Sequence, residues 1–468
     1  MTVLWGIGGM LALLAMAFAL STNRCAIRPR TILGALAIQF GFGVLVLYWD
    51  VGQRMLAAAS NLVKSVIATS NEGIDFLFGP ILPDNEMVFA FQVLPIVVFV
   101  AALSAVLYHL RILQWVVHVI GGALRYVLGT SRAESLAAST NVFLGQTESP
   151  LIVRPYLARM TRSEFFAVMV CGLSTVAGTV LVGYSMLGAR LDYLIAAAFM
   201  AAPGGLLMAK IIIPETEYEP VREGSEPATA AVHTEAERAT AAVPAHAGAA
   251  PPPEHDAPGA ASAGGLGRDD SGTRDDAGDG TADNAGDGTA DGTADTPNRN
   301  VIDAAANGAA DGLKLALNIG AMLLAFISLI ALLNLIVGAV GGLFGLHELS
   351  IQQILGYVFA PVVFLIGVPW EEATGAGGYL GQKLILNEFV AFADFGPHAA
   401  EYSDRTATIT TFALTGFANL GSLAILLGGL GSLVPQRRPE IAQLGIRAIL
   451  AGTLANLMSA AIAGVLIG

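Results

Sequence analysis

The chain has 468 residues, 54% of them hydrophobic and only 13% charged, with a mean hydropathy of +0.64. Soluble domains carry about 25% charged residues, so this composition excludes an ordinary soluble enzyme or nucleic-acid-binding module and points to a membrane protein. The formal charge of −13 misdescribes the whole, because most of the acid falls in one segment, roughly residues 215–311.

A bilayer core of about 30 Å needs about 20 apolar helical residues. The first such run, 3–21, has no basic residue before it and no Ala-x-Ala-like cleavage site, so it reads as a retained span. A second run covers 31–48. Residues 52–77 mix Arg54, Lys64, Glu72 and Asp75 with apolar side chains, which suits a helix lying in the interface. A third span, 88–108, precedes a stretch at 118–158 that is long enough to reach the membrane but interrupted by Gly, Pro and charge. A re-entrant hairpin is the natural reading, because non-helical backbone at depth survives only when buried in protein or lining a wet cavity. Spans at 165–187 and 193–213 follow. Beyond the acidic segment come a span at 313–345, a second interrupted stretch at 355–396, and spans at 407–433 and 441–467.

The expected fold is therefore all-α and integral to the membrane, with eight transmembrane helices, two re-entrant helical hairpins and interfacial helices. Hairpin–span–span occurs twice, with an odd number of crossings between the copies, which predicts an inverted repeat. The organisation reads as N-terminal scaffold spans and interfacial helix (1–117), first transport repeat (118–213), acidic linker (214–311), scaffold span (312–354) and second transport repeat (355–468). The linker is rich in Ala, Gly, Asp, Thr and Pro and too poor in large apolar residues to offset chain entropy, so it is expected to be disordered. Its Asp-Gly repeats lack the spacing and closing Glu of an EF-hand. Arg24, Arg28, Arg30, Arg111, Arg125, Arg132, Arg154, Arg159, Arg162, Arg437 and Arg438 all fall on one side if both termini are outside, which makes the linker cytoplasmic. Cys25 and Cys171 lie in or beside apolar runs and suggest no structural disulfide.

Two carboxylates interrupt these apolar stretches. Ionisable groups at membrane depth cost about 2.5–3.5 kcal/mol each and are usually retained for a task. The first, Glu148, belongs to the tip Asn141–Pro150, where Gly145 permits a tight break and Pro150 restarts a helix. Gln146, Thr147 and Glu148 there offer an amide, a hydroxyl and a carboxylate. A polar loop capping a helix at the surface is the other reading. Downstream, glycines around Ser174 and Thr175 favour unwinding, freeing carbonyls that, with hydroxyl oxygens, make a neutral cage suited to Na⁺. A small-xxx-small packing face through Gly172, Thr175 and Thr179 accounts for the same residues, and sequence does not separate the two. The second carboxylate, Glu388, has Phe417, Asn419 and Ser422 as companions in the seventh run. A carboxylate, an amide and a hydroxyl converging in a dry pocket suit the vicinal hydroxyls of a sugar. A structural ion pair with Lys383 competes with that role. Glu371 and Glu372 fit the start of a helix. His109, His347 and His398 show no metal-ligand spacing. No Walker lysine motif supports an ATP-driven pump.

At GQTESPLIVRPYLARMTRSEFFAVM, GVPWEEA, GQKLILNEFVAF, GFANLGSLAILLGGLG and LGIRAILAGTLANLMSAAIAG the chain resembles the concentrative nucleoside transporter family, of the bacterial sodium-coupled type. The resemblance covers all but the acidic segment. It implies a homotrimer of the cytoplasmic membrane whose protomers each move a transport region against a central scaffold, in an elevator form of alternating access. It implies that Gly145, Gln146, Thr147 and Glu148 meet the nucleobase, that Val180 and Phe417 pack beside the substrate, and that Glu388, Asn419 and Ser422 hold the ribose. It assigns sodium to the Asn141 side chain, the Leu144 carbonyl, the Thr175 hydroxyl and the Val176 carbonyl. Thr175 stands where close relatives carry Ser, Cys171 where they carry Gly, and Gly421 where they carry Ser. The expected partners are a nucleoside, with uridine first, sodium and the lipid bilayer, without nucleic acid or organic cofactor. Proton coupling in the same family, or an intramembrane nucleoside hydrolase using Glu148 and Glu388, are the alternatives.

Overall fold

The structure, a computed structural model, describes residues 2–82, 88–217, 299–343, 345 and 349–467. Most of the expected linker lies outside the described residues. Among those described, every regular element is helical, as a chain that must pair its backbone internally in lipid requires. The N-terminal part comprises α1 (Thr2–Ala19), α2 (Pro29–Gly43) continued by a π turn over Val44–Tyr48, α3 (Asp50–Ala68), α4 (Ser70–Phe78) and α5 (Phe89–His109). Next come α6 (Ile112–Leu128), α7 (Arg132–Thr140), α8 (Ser149–Ile152), α9 (Arg154–Leu157), α10 (Arg162–Ser174), α11 (Gly178–Met186) and α12 (Leu191–Ile212). The C-terminal part comprises α13 (Val301–Leu343), α14 (Ile351–Leu365), α15 (Trp370–Ile385), α16 (Glu388–His398), α17 (Asp404–Leu414), α18 (Gly421–Leu433) and α19 (Arg438–Ile467).

Six helical segments are long and apolar enough to cross a membrane: Pro29–Tyr48, Phe89–His109, Arg162–Met186, Leu191–Ile212, Val301–Leu343 and Pro435–Ile467. A bent pair, α14 and α15, meets the same test only when joined across a 115° turn. The difference from eight runs has two sources. Helix α1 has 18 residues, about 27 Å at 1.5 Å per residue, and is a little short. The run at 407–433 is not one helix; it opens between Leu414 and Gly421. Helix α13 also begins at Val301, inside the stretch that composition assigns to the linker, and extends for 43 residues.

Local signals explain most boundaries. Thr161 and Glu164 form a reciprocal capping box that starts α10, and Ser350 with Gln353 does the same for α14. Ser131, Asn387 and Ser403 accept from backbone N–H groups at the starts of α7, α16 and α17. Glu371 and Glu372 lie in the first turn of α15, as their charge suggests. Helix α3 turns Gly52, Leu56 and Ser60 inward and leaves its opposite face exposed.

Packing separates two groups of helices. Gly308 and Gly312 of α13 admit Val98, Ala101 and Ala105 of α5 at close range, the small-residue contact expected of helices in lipid. The other faces of α13 stay open, with Leu313, Leu324 and Leu335 exposed. Helices α10, α12 and α19 are buried almost throughout. The element order α6, α7, tip, α8–α9, α10/α11, α12 recurs as α14, α15, tip, α16, α17/α18, α19. Both broken spans lean on α19 at Gly452, where an added Cβ would meet Leu173 Cβ at 3.1 Å and Ala418 Cβ at 3.2 Å.

Gly452→Val should therefore lower the thermal unfolding midpoint, at an overpacking cost of about 1–3 kcal/mol. Gly122→Val, with open space around its Cβ position, should leave the midpoint nearly unchanged; equal midpoints for the two variants would refute the close-approach role.

Candidate functional site

The turn between α7 and α8 meets the break between α10 and α11 through backbone and side chains. Helix α10 stops at Ser174, and Thr175 is extended at φ −96° and ψ 174°. The chain resumes at Gly178, whose N–H donates to the Phe143 carbonyl of the hairpin tip at 3.0 Å. Leu144 follows Phe143, and Val176 precedes Gly178 by two residues, so both carbonyls assigned to sodium flank this bond in the chain. The Thr175 hydroxyl donates to the Cys171 carbonyl at 2.7 Å, which leaves its oxygen lone pairs for a cation. Asn141 is buried; its amide nitrogen donates to the Ala137 carbonyl at 2.9 Å, while its Oδ1 has no hydrogen-bond partner. A buried carbonyl oxygen without a donor is costly, about 1–3 kcal/mol, and a cation is a ligand that would satisfy it. The donor set of amide, hydroxyl and carbonyl oxygens fits sodium.

Gly172, one turn before the break, leaves room for the tip. A Cβ there would meet Gln146 Cβ at 3.2 Å and Asn141 Oδ1 at 3.9 Å. Gln146 is buried, with its Oε1 also lacking a partner. Thr147 and Glu148 are exposed. The reason lies in the turn. The Gly145 carbonyl accepts from Glu148 N at 3.2 Å and Ser149 N at 3.0 Å, which sends Gln146 toward α10. Thr147 instead lies beside α18, its Cγ2 3.2 Å from the Cβ position of Gly429. Gly145 has neither a positive φ nor a crowded Cβ position, so the fold itself does not demand glycine there.

The second hairpin and second broken span build the other half. Asn387 caps α16 by accepting from Val390 N at 2.9 Å, and Glu388 follows, 4% exposed. Glu388 Oε1 accepts from the Tyr184 hydroxyl at 3.0 Å, and Oε2 from Asn419 Nδ2 at 3.0 Å. Asn419 Oδ1 accepts from Ser422 N at 2.8 Å and Ser422 Oγ at 3.1 Å. The Ser422 hydroxyl also donates to the Phe417 carbonyl. Val180 and Phe417 join the apolar cluster that contains Tyr184, Phe389 and Phe392. Carboxylate, amide, hydroxyl and aromatic wall thus come together as sequence spacing suggests.

Lys383 does not pair with Glu388 among the described residues. Its ammonium donates instead to the Ala413 carbonyl at 2.7 Å and to Asn456 Oδ1 at 2.9 Å. Asn456 Nδ2 donates in turn to the Ser174 carbonyl at 2.6 Å and the Thr415 carbonyl at 2.8 Å. Phe417 N donates to the Thr175 carbonyl at 3.2 Å, so the two breaks are bonded both directly and through Asn456. A Cβ on Gly416 would strike the Asn456 amide, and Gly416 holds φ +157°. Sequence reasoning missed Asn456 and Tyr184. Asn456 is an isolated amide in an apolar run and carries the same signal as the two carboxylates. Tyr184 carries none, since 204 residues separate it from Glu388.

Comparison with known proteins gives one answer. Residues 8–81 match the family Na+ dependent nucleoside transporter N-terminus, residues 273–464 its C-terminus, and residues 90–190 the family Gate: Nucleoside recognition. The uncharacterized transporter YutK of Bacillus subtilis is 48% identical over 468 residues, covering 100% of both chains. The nucleoside permease NupC of Helicobacter pylori is 41% identical over 99% of this chain and 98% of its own. Among solved structures, CNTnw in an inward-facing substrate-bound state is similar at a TM-score of 0.81, with 45% identity over 100% of this chain and 98% of that one.

Removing one donor from a buried carboxylate should be measurable without any ligand. Tyr184→Phe is expected to lower stability by about 1–3 kcal/mol, read as a lower unfolding midpoint with unchanged helical circular dichroism. An unchanged midpoint would mean that the Tyr184–Glu388 bond contributes nothing.

Proposed function

Because this chain belongs to the sodium-dependent nucleoside transporter family, with sodium as coupling ion and no organic cofactor, we propose that it is a symporter that imports nucleosides, pyrimidines such as uridine first, by alternating access. The observation that carries the reading is the Glu388 cluster. An ionised carboxylate has about four acceptor sites, and Tyr184 and Asn419 occupy two. The remaining capacity suits the two vicinal hydroxyls of a ribose, with Asn419 and Ser422 fixing its direction. Phe417 and Val180 supply an apolar wall. Gln146, with its unpartnered Oε1, reads the base from Gly145's side, while Thr147 and Glu148 meet it from the exposed edge of the tip.

The sodium ion is held by the Asn141 side chain, the Leu144 carbonyl, the Thr175 hydroxyl and the Val176 carbonyl in this reading. The unpartnered Asn141 Oδ1 supports it. The ion joins hairpin to broken span, so its presence shapes the surface against which Gln146 is placed. Ion and nucleoside then favour each other's binding, a linkage that must be reciprocal.

The architecture we propose is eight spans with two re-entrant hairpins, the α6–α12 and α14–α19 units being inverted copies. The assembly is a homotrimer in the cytoplasmic membrane, with α5 and α13 in its scaffold and the paired units moving as an elevator. Both termini lie outside and the acidic linker inside. Hydrogen bonds from Arg30 to the Tyr126 carbonyl, and from Arg437 to the Leu157 and Met160 carbonyls, gather basic residues at one end and support this orientation. The hydrolase alternative weakens, since Glu388 is committed to Tyr184 and Asn419 while Glu148 is exposed.

Proteoliposomes containing the protein should accumulate uridine under an inward Na⁺ gradient; uptake indifferent to Na⁺ but driven by a proton gradient would sink the sodium assignment. Glu388→Gln and Asn419→Ala should each weaken uridine binding by at least about 100-fold, the worth of a charge-assisted bond near 3 kcal/mol. Native affinity in either folded variant, measured by calorimetry, would refute the ribose role.

A further inference from the structure

Two broken spans at membrane depth pose a problem that one amide solves. Ser174 and Thr415 end their helical segments with carbonyls that no continuing turn can satisfy. Asn456 rises between them from the unbroken helix α19 and donates one amide hydrogen to each. Its orientation is fixed by chemistry, because a carbonyl only accepts. Both N–H groups must face the breaks, and Oδ1 is left to accept from Lys383. Lys383 is itself fully buried, and it also donates to the Ala413 carbonyl, in the last turn of α17. That is the negative end of a helix dipole and a favourable place for a cation.

The surroundings leave this group little freedom. Gly452, one turn earlier on the same face of α19, touches Leu173 before the first break and Ala418 within the second. Gly416 lies against the amide so closely that no Cβ fits between them. Lys383 stands on α15, five residues before Glu388. The group thus reaches the second hairpin, both breaks and α19 at once. One break presents Thr175 and Val176, and the other presents Phe417, Asn419 and Ser422.

From this geometry we infer that Asn456, oriented by Lys383, is the positioning residue that couples the sodium site to the nucleoside site. The inference rests on the site assignments proposed above. Sodium fixes the backbone at Thr175 and Val176. Ser174, next in the chain, passes that position through Asn456 to Thr415, and Thr175 passes it directly to Phe417. The second break then holds Asn419 and Ser422 where Glu388 needs them. Neither Asn456 nor Lys383 has to touch ion or nucleoside for this to operate.

The readout is the ratio of uridine Kd without and with saturating Na⁺, measured by calorimetry on purified full-length protein. Couplings of this kind are typically about 5- to 150-fold, and the native protein should fall in that range. Asn456→Ala should cut the ratio severalfold, the direct Thr175–Phe417 bond keeping a remainder, while Kd measured without Na⁺ moves much less. Lys383→Met keeps the length of the side chain and the Asn456 donors but leaves Asn456 Oδ1 without its donor and so less firmly held; it should give an intermediate ratio. A purely structural role would lower the unfolding midpoint and weaken binding equally with and without Na⁺. A native-sized ratio in folded Asn456→Ala overturns the inference and leaves the sodium reading standing. Should that variant not fold, a native-sized ratio in Lys383→Met overturns it in the same way. A native protein whose uridine affinity ignores Na⁺ overturns the sodium reading, and the inference with it.

Discussion

Backbone carbonyls freed inside a membrane protein have to find donors within the protein, because lipid supplies none. The rest of this molecule is arranged around that constraint. Opening α10 after Ser174 and α17 after Leu414 exposes polar backbone in the best-buried part of the fold. The Asn456 amide, the Lys383 ammonium and the Phe417 N–H take up four of those carbonyls. Small residues on α19 let both breaks come close enough for one side chain to reach them. The apolar length of α19 and the isolated Asn456 within it are two aspects of one requirement.

The two α6–α12 and α14–α19 units solve their local problems alike and their chemistry differently. In the first, the turn after α7 accepts a backbone hydrogen bond from the residue that restarts the broken helix, Phe143 from Gly178; in the second, the last turn of α15 does so, Leu384 from Leu420. Each tip also carries an asparagine. Asn387 spends its carbonyl oxygen on the start of α16 and is satisfied. Asn141 bonds only through its nitrogen and leaves its oxygen bare. The Asn387 oxygen is thereby paired beside Glu388, whereas the Asn141 oxygen is bare, at the place where the proposed sodium would bind. The carboxylates diverge in the same way, Glu388 enclosed by donors and Glu148 at an exposed edge.

Much of this was legible in the sequence because the membrane imposes coarse rules. Long apolar runs located most spans, whereas Gly172 and Gly178 in 165–187 suited a break and a helix-packing face equally, and the fold shows the break after Ser174. The break within 407–433 was not anticipated as a division into two helices, since Leu423 to Leu430 restore apolar character at once and hydropathy averages across the gap. Glu388, Asn419 and Ser422, which sequence placed in two compact motifs, are hydrogen-bonded together in the fold. Tyr184 escaped because its partner lies across the fold, and periodicity carries no information about such pairs. Lys383 was weighed only as a partner for Glu388, the nearest opposite charge in the chain. In the fold a helix C-terminus and an amide oxygen neutralise it instead, an arrangement that depends on where α17 stops.

The division of labour between the halves bears on why transport of this kind needs both ligands. The proposed nucleoside site needs the second break to hold Asn419 and Ser422 against Glu388, and the bonds among them already exist in the protein. The ion's side is where satisfaction is missing, at Asn141 Oδ1 and beside Gln146 Oε1. Binding energy released by completing that side is useful to the nucleoside only if the two breaks move together. Side-chain contacts between flexible groups would dissipate such a linkage, because each could relax alone. Carbonyl and amide groups of two helix ends, tied through one oriented side chain on a continuous helix, cannot relax separately without leaving a buried polar group unpaired. In the reading proposed above, rigidity at the breaks is what would let a neutral-oxygen ion site influence a carboxylate-based sugar site without either touching the other.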